Sequence, residues 1–116
     1  MFLGCVSLTS INFGNFNTRK VTTMRYMFAG CQKLSSIDLS NFKTNDLAIM
    51  DYMFSQCIEL TSINISSFDT HKVTNMNSLF TKCYKLISLD LYNFNIKNVI
   101  DIGYMFFQCS VLVSVN

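Results

Sequence analysis

The five cysteines of this chain are separated by a constant 26 residues, and their chemistry has to be decided first. They are Cys5, Cys31, Cys57, Cys83 and Cys109. No C-x-x-C pair with nearby histidine or carboxylate is present, so the pattern does not predict a metal site. Each cysteine stands in a recurring apolar series, which indicates a buried thiol that packs as a small hydrophobic side chain. A disulfide ladder is disfavoured, because parallel side chains seldom reach the required dihedral angle.

The other residues that could catalyse a reaction are one histidine and seven acidic residues. His71 occupies a repeat position that is Arg19, Asn45 or Lys97 in the other copies, which is typical of a solvent-exposed residue. The acidic residues form no close pair on a strained or glycine-rich turn. A P-loop, a dinucleotide fingerprint and a nucleophile elbow are also missing from the sequence. We therefore expect a protein that is not an enzyme and that uses no cofactor.

Composition limits the classes of partner. Half of the 116 residues are apolar, only 14% are charged, and the formal net charge is +2. This balance does not indicate a nucleic-acid or membrane-surface partner. No apolar run approaches the roughly 18 residues needed to span a bilayer, so we expect no membrane insertion.

A strict 26-residue repeat organises the whole chain, without insertion or deletion. The repeats are residues 1–26, 27–52, 53–78 and 79–104, and a partial copy covers residues 105–116. A fixed period of this length is typical of stacked arrays. We interpret the chain as a single repeat array, and we expect it to be a segment of a longer one, because neither outer copy has the polar face of a terminal unit.

Two periodicities divide each repeat. Alternating apolar and polar residues predict short parallel strands near residues 9–13, 35–39, 61–65, 87–91 and 113–115. Apolar steps of three and four predict short helices near residues 22–30, 48–56, 74–82 and 100–108. The expected core of the second repeat is Phe28, Cys31, Leu34, Ile37, Leu39, Phe42, Leu47 and Met50, with equivalent residues stacked above and below.

One motif carries a family resemblance over the whole chain. The pattern Met-Phe-x-x-Cys-x-x-Leu-x-Ser-Ile-Asp-Leu-Ser-Asn-Phe-x-Thr, followed by Val-Thr-x-Met, resembles the BspA-like repeats of microbial surface proteins, and Leu34-x-x-Ile37-x-Leu39 resembles the strand of leucine-rich repeats. The resemblance implies an α/β solenoid, a leucine-rich-repeat-like right-handed superhelix. It would have about 4.5 coils of 26 residues, with one parallel sheet and short helices opposite it. One departure is that Phe42 and its equivalents stand where leucine-rich repeats place Asn or Cys.

Two surfaces are candidates for binding. The predicted outer face of the sheet presents a ribbon of hydrogen-bonding side chains: Ser36, Asp38, Ser62, Asn64, Ser88 and Asp90. Such a ribbon suits protein or glycan contacts, although it is also what a solvated sheet face looks like. Three tyrosines, Tyr26, Tyr52 and Tyr104, recur beside the Met-Phe pair and form a candidate interface, with simple packing at the edge of the core as the alternative interpretation. The segment Asn64-Ile65-Ser66 is an N-glycosylation acceptor pattern, which would matter in a protein secreted by a eukaryote.

The resemblance and the absence of catalytic motifs lead to one functional expectation. The chain is predicted to be a structural or adhesive module of a cell-surface or extracellular protein, within a long rod or filament. Because the repeat is strict, another copy could continue it by head-to-tail contact. The alternative is an intracellular scaffold for protein–protein interaction, which free cysteines fit slightly better.

Overall fold

The computed structural model describes the entire chain, residues 1–116. Its regular elements are four short strands: β1 Ser36–Asp38, β2 Ser62–Asn64, β3 Ser88–Leu89 and β4 Ser114–Val115. β1 pairs with β2 and β3 pairs with β4, in two parallel two-stranded sheets. Ser36 lies opposite Ser62 and Ser88 lies opposite Ser114, so each pairing offset equals one repeat. Four of the predicted strands are confirmed at their centres, but they are shorter than expected, and no strand forms near residues 9–13.

The predicted α/β solenoid is wrong. The segments predicted as helices, near residues 22–30, 48–56, 74–82 and 100–108, form turns, and the chain contains no helix. No pairing joins β2 to β3, so the single continuous sheet of the prediction is absent as well. The molecule measures 30 × 29 × 21 Å, which is a compact body rather than a superhelix with helices opposite a sheet.

Alternating hydrogen bonds explain why the apolar steps of three and four do not form helices. The N–H groups of Met24, Tyr26 and Phe28 donate to the carbonyls of residues 49, 51 and 53 in the next repeat, at 2.9, 3.2 and 2.9 Å. The N–H groups of Met27 and Ala29 donate three residues back, as from Met27 to the Met24 carbonyl at 3.0 Å, and the Arg25 N–H donates to the Thr23 hydroxyl. A helix would require every N–H to donate four residues back. We call the segments 24–30, 50–56 and 76–82 the turn ladder.

The backbone dihedral angles of these segments are also incompatible with a helix. In each segment of the turn ladder two residues, four positions apart, have a positive φ: Tyr26 at 54° and Gly30 at 74°, then Tyr52 at 56° and Gln56 at 61°. Left-handed residues interrupt a right-handed helix. Gly30 is the last residue of the helix predicted near residues 22–30, whereas in the structure it occupies the second left-handed position of a turn. Gln56 shows that this position also accepts a residue with a side chain.

The core lies between the strands and the turn ladder, and its predicted members are confirmed. Phe28, Cys31, Leu34, Ile37, Leu39, Phe42, Leu47 and Met50 are all buried. Equivalent phenylalanines stack face to face, with Phe28 and Phe54 ring centroids 5.5 Å apart and Phe54 and Phe80 also 5.5 Å apart. Because equivalent residues of successive repeats pack on each other, the turns that carry the candidate surfaces are aligned from one repeat to the next. None of the structure's elements is a helix that could cross a bilayer.

Candidate binding surfaces

The predicted ribbon of polar side chains is solvent-exposed. Ser36, Asp38, Ser62, Asn64, Ser88 and Asp90 all face outward, on β1, β2 and β3 or immediately after β3. Asp38 lies opposite Asn64 in the β1–β2 pair. Because β2 and β3 are not paired, the ribbon has two parts, and Ser88 and Asp90 belong to the second. Whether the ribbon binds a partner stays a prediction.

The acidic and amide side chains of this ribbon also have a local structural role. Asp38 Oδ1 accepts the N–H of Ser40 at 3.0 Å, and Asp90 Oδ1 accepts the N–H of Tyr92 at 3.0 Å. These bonds close the turn that follows each strand. The Ser40 backbone N–H, with the side chains of Ser40 and Asn64, lowers the pKa of Asp38. These side chains therefore shape the turns at the ends of the strands as well as facing solvent.

Of the three candidate tyrosines, the structure brings two together. The rings of Tyr26 and Tyr52 stack with centroids 4.9 Å apart and planes inclined by 24°. The Arg25 guanidinium lies 5.1 Å from the centroid of the Tyr26 ring. Ser78 takes the equivalent position in the next repeat, so Tyr104 is not part of this stack and contacts Phe107 instead, edge to face at 5.7 Å.

Asn64, the candidate acceptor for N-glycosylation, is exposed just where its strand ends. Its Oδ1 accepts hydrogen bonds from the Ser66 N–H at 3.2 Å and the Ser66 hydroxyl at 2.8 Å. The two polar residues of the acceptor pattern, Asn64 and Ser66, are therefore hydrogen-bonded to each other. Modification of Asn64 stays a prediction.

A buried threonine ladder was missed by the sequence analysis. The Thr44 hydroxyl accepts the N–H of Asp69 at 2.7 Å and donates to the Asp69 carbonyl at 3.1 Å. Thr18 and Thr70 repeat this pair of bonds to the next repeat, and all three threonines are at most 1% exposed. The signal was present, since threonine recurs two residues after the phenylalanine in three copies, and Ile96 stands there in the fourth.

A buried carboxylate was also missed. The Asp51 side chain is 3% exposed, and its Oδ2 lies 2.9 Å from Arg25 Nε. Its Oδ1 is buried without a hydrogen-bond partner. In the next repeat Asn77 takes this position and donates to both carboxylate oxygens of Asp101, at 3.1 Å each. No sequence pattern identified Asp51, because the same position is Arg25, Asn77 or Gly103 in the other copies.

The cysteines form a ladder of thiols that donate to backbone. Cys57 Sγ donates to the Phe28 carbonyl at 3.2 Å, and the thiols of Cys31, Cys83 and Cys109 make the equivalent bond. Cys31, Cys57 and Cys83 are buried as predicted, whereas Cys5 and Cys109 are half-buried. Burial raises the pKa of Cys57 to about 12. A thiol with so high a pKa is a poor nucleophile and metal ligand, since those roles need the thiolate.

The single histidine is exposed beside an exposed acid. His71 Nδ1 lies 2.6 Å from Asp69 Oδ1, with the two side chains 47% and 40% exposed. The hydrogen bonds from the His71 side chain and backbone lower the pKa of Asp69. No serine, cysteine or lysine joins this pair through a hydrogen bond. Throughout the chain, no three histidine, cysteine, aspartate or glutamate side chains are grouped as metal ligands.

Comparison with known proteins gives one result that covers nearly the entire array. No curated protein and no solved structure is significantly similar to the chain. A family model described as "Mycoplasma protein of unknown function, DUF285" matches residues 1–114, which include all four strands except the end of β4 and every segment of the turn ladder. The chain therefore belongs to the DUF285 family.

Proposed function

We propose that this chain is a non-enzymatic structural and adhesive module of a cell-surface or extracellular protein. The observation that supports it most is the outward-facing ribbon on β1 and β2, where Ser36 lies opposite Ser62 and Asp38 lies opposite Asn64. The resemblance to BspA-like repeats supports the same proposal. The partner of the ribbon is a protein or a glycan, because hydroxyl, amide and carboxylate groups offer both donors and acceptors.

Location is tested by limited trypsin treatment of intact cells that produce the protein. Arg19 and Lys20 are exposed on a turn, so trypsin can reach them in the folded protein. We expect peptides that end at these residues to be released before the cells are lysed. Release only after lysis contradicts the proposal and favours the intracellular scaffold, which the five free thiols would suit.

Adhesion is tested by placing charge on the ribbon. The double substitution Ser36→Arg and Ser62→Arg adds two cations side by side on the β1–β2 pair and should reduce attachment of protein-coated beads to host cells or matrix. The matched control is Ser7→Arg with Gln32→Arg, which adds the same charge at exposed residues outside the strands. Equal attachment of both variants contradicts a role for the ribbon.

Self-association by head-to-tail contact is the remaining part of this proposal. Apolar side chains are exposed at both ends of the array, including Met1 and Leu3 at one end and Ile102 and Phe107 at the other. Such surfaces favour contact with another molecule. Light scattering at increasing protein concentration should show an average mass that keeps rising beyond that of a dimer, because head-to-tail contacts do not close. A protein that stays monomeric at every concentration contradicts head-to-tail association.

A further inference from the structure

A groove runs beside the turn ladder, away from the polar ribbon. It has a volume of about 390 Å³, within the range of small-ligand sites. The groove is lined by ten residues from four consecutive repeats: Leu3, Gly4, Tyr26, Ala29, Gly30, Tyr52, Ser55, Gln56, Thr81 and Lys82. None of them belongs to a strand, and none is acidic.

Glycine at two positions opens this groove. Gly4 and Gly30 have φ values of 70° and 74°, and the equivalent residues Gln56 and Lys82 have 61° and 62°. Because glutamine and lysine adopt the same backbone conformation, the turn itself does not need glycine here. A Cβ at Gly4 would meet no atom within 4 Å, and one at Gly30 would meet only the Gly4 backbone, at 3.4 Å from its Cα, so the two glycines leave this part of the groove without side chains. Gln56 and Lys82 supply polar groups to the same groove.

The groove contains a hydroxyl group without a partner. Ser55 is only 5% exposed, yet its side chain makes no hydrogen bond, although it lines the groove. In the next repeat, Thr81 at the same position satisfies its hydroxyl by donating to the Tyr104 carbonyl at 2.6 Å. The Ser55 hydroxyl oxygen is not among the fully buried polar atoms, so it opens onto the groove and is free to bond a ligand there.

The tyrosine stack ends at Tyr52, which has an aromatic neighbour on one face only. Tyr26 covers one face of the Tyr52 ring, and no ring covers the other face, since Ser78 follows in the column. A sugar ring has an apolar face of C–H groups that packs on an aromatic face, and hydroxyls around its rim that need donors and acceptors. Tyr52, Ser55, Gln56 and Lys82 provide this combination within one groove.

We propose that the groove beside Tyr26 and Tyr52 binds carbohydrate, with a sugar ring packed on Tyr52 and its hydroxyls bonded to Ser55 and Gln56. Lys82, with no carboxylate in the lining, favours acidic sugars over neutral ones. This site rests on the proposed adhesive function, for which it supplies a ligand class and a second surface. It is separate from the ribbon, so the two can be tested independently.

The test is an NMR titration of the full chain with two probes, neutral chitotetraose and acidic tetragalacturonate. We expect saturable shifts of the Tyr52 and Ser55 amides, with the acidic probe binding more tightly. Tyr52→Ala should weaken binding at least tenfold, and Ser55→Ala, which copies Ala29 of the preceding repeat, should weaken it measurably. Tyr104→Ala is the matched control, because Tyr104 has the same repeat position but lies outside the groove.

A second variant guards against loss of folding. Gly30→Gln fills the groove with the residue that the next repeat carries at a φ of 61°, so the fold should persist while binding falls at least tenfold. The left-handed φ at residue 30 should lower the stability of this variant, which thermal unfolding measures beside the titration. The proposal is overturned if neither sugar gives a saturable shift at about 10 mM, or if Gly30→Gln and Tyr52→Ala bind like the native protein. Binding of a polyglutamate decapeptide at these residues, without either sugar, also overturns it. None of these results depends on where the protein resides, so the trypsin experiment on intact cells is judged separately.

Discussion

Removal of one hydroxyl from the threonine ladder should destabilise the protein by about 2 kcal/mol. Thr44 is 1% exposed, and its hydroxyl both accepts the Asp69 N–H and donates to the Asp69 carbonyl. Thr44→Val keeps the shape of the side chain but leaves that N–H and that carbonyl without this partner. A buried group left unsatisfied in this way costs about 1–3 kcal/mol, which sets the estimate.

The measurement is urea unfolding followed by circular dichroism. With a denaturant dependence of about 1.5 kcal/mol per molar urea, a loss of about 2 kcal/mol lowers the midpoint by about 1.3 M. Thr44→Ser keeps the hydroxyl and removes one methyl group, so it should cost only about 0.8 kcal/mol. If Thr44→Val unfolds at the native midpoint, or if the serine variant is the less stable of the two, the ladder does not hold the repeats together.

The fourth repeat supplies an internal control for this reasoning. Ile96 takes the ladder position there and is 59% exposed. Ile96→Thr places its hydroxyl at an exposed position, where it gains no buried partner, so it should not stabilise the protein. A gain in stability equal to the loss in Thr44→Val would show that threonine acts through intrinsic preference rather than through contact between repeats.

Three further predictions concern titrating and turn-forming side chains. Burial raises the pKa of Cys57 from 9.0 to about 12, so the stability that its neutral thiol contributes is present below pH 9 and is lost as pH rises toward 12. The difference in Tm between the native protein and Cys57→Ala should therefore narrow above pH 9, and a constant difference would contradict this. Arg25→Leu leaves the buried Asp51 carboxylate without its ion-pair partner and should cost about 2 kcal/mol in urea unfolding. Adding Asp51→Asn should restore most of that loss; an additive second loss would refute the pairing. Asp38→Asn should unfold at the native midpoint, because an amide oxygen closes the same turn in two other repeats, whereas Asp38→Ala should unfold earlier, and equal midpoints for the two variants would exclude the turn bond.

Burial and register were predictable from the sequence because they depend on which residue types recur. Phe28, Leu34 and Leu47 recur as apolar residues at constant spacing, and each is fully buried. The same period fixed the strand partners, since Ile37 pairs with Ile63 across one repeat. The outward direction of Asp38 followed from simple alternation along the strand.

The spacing of apolar residues could not distinguish helices from turns, because successive turns also place apolar residues three and four positions apart. The difference between the two lies in backbone conformation, and Tyr26, Tyr52 and Gln56 carry no signal of a positive φ in their side chains. Gly30 did carry such a signal, but a helix end and a turn use glycine in the same way.

The groove could not be predicted from the repeat pattern of the sequence. It arises from what is missing, namely side chains at Gly4 and Gly30 and a ring at Ser78. A repeat pattern identifies positions that agree, whereas this site depends on the positions where the copies differ. The tyrosines were identified as an interface from their recurrence, but their relation to Ser55 required the structure.

The direction of the hydrogen bonds in the turn ladder determines how the protein responds to tension. Those bonds connect one repeat to the next, from residue 24 to residue 49 and from residue 50 to residue 75. A force that pulls the two chain ends apart therefore loads one boundary between repeats at a time, and the boundary opens by peeling. Each detached 26-residue repeat would release about 90 Å of extended chain. A chain folded this way should lengthen in equal steps under load, which limits the peak force that it transmits.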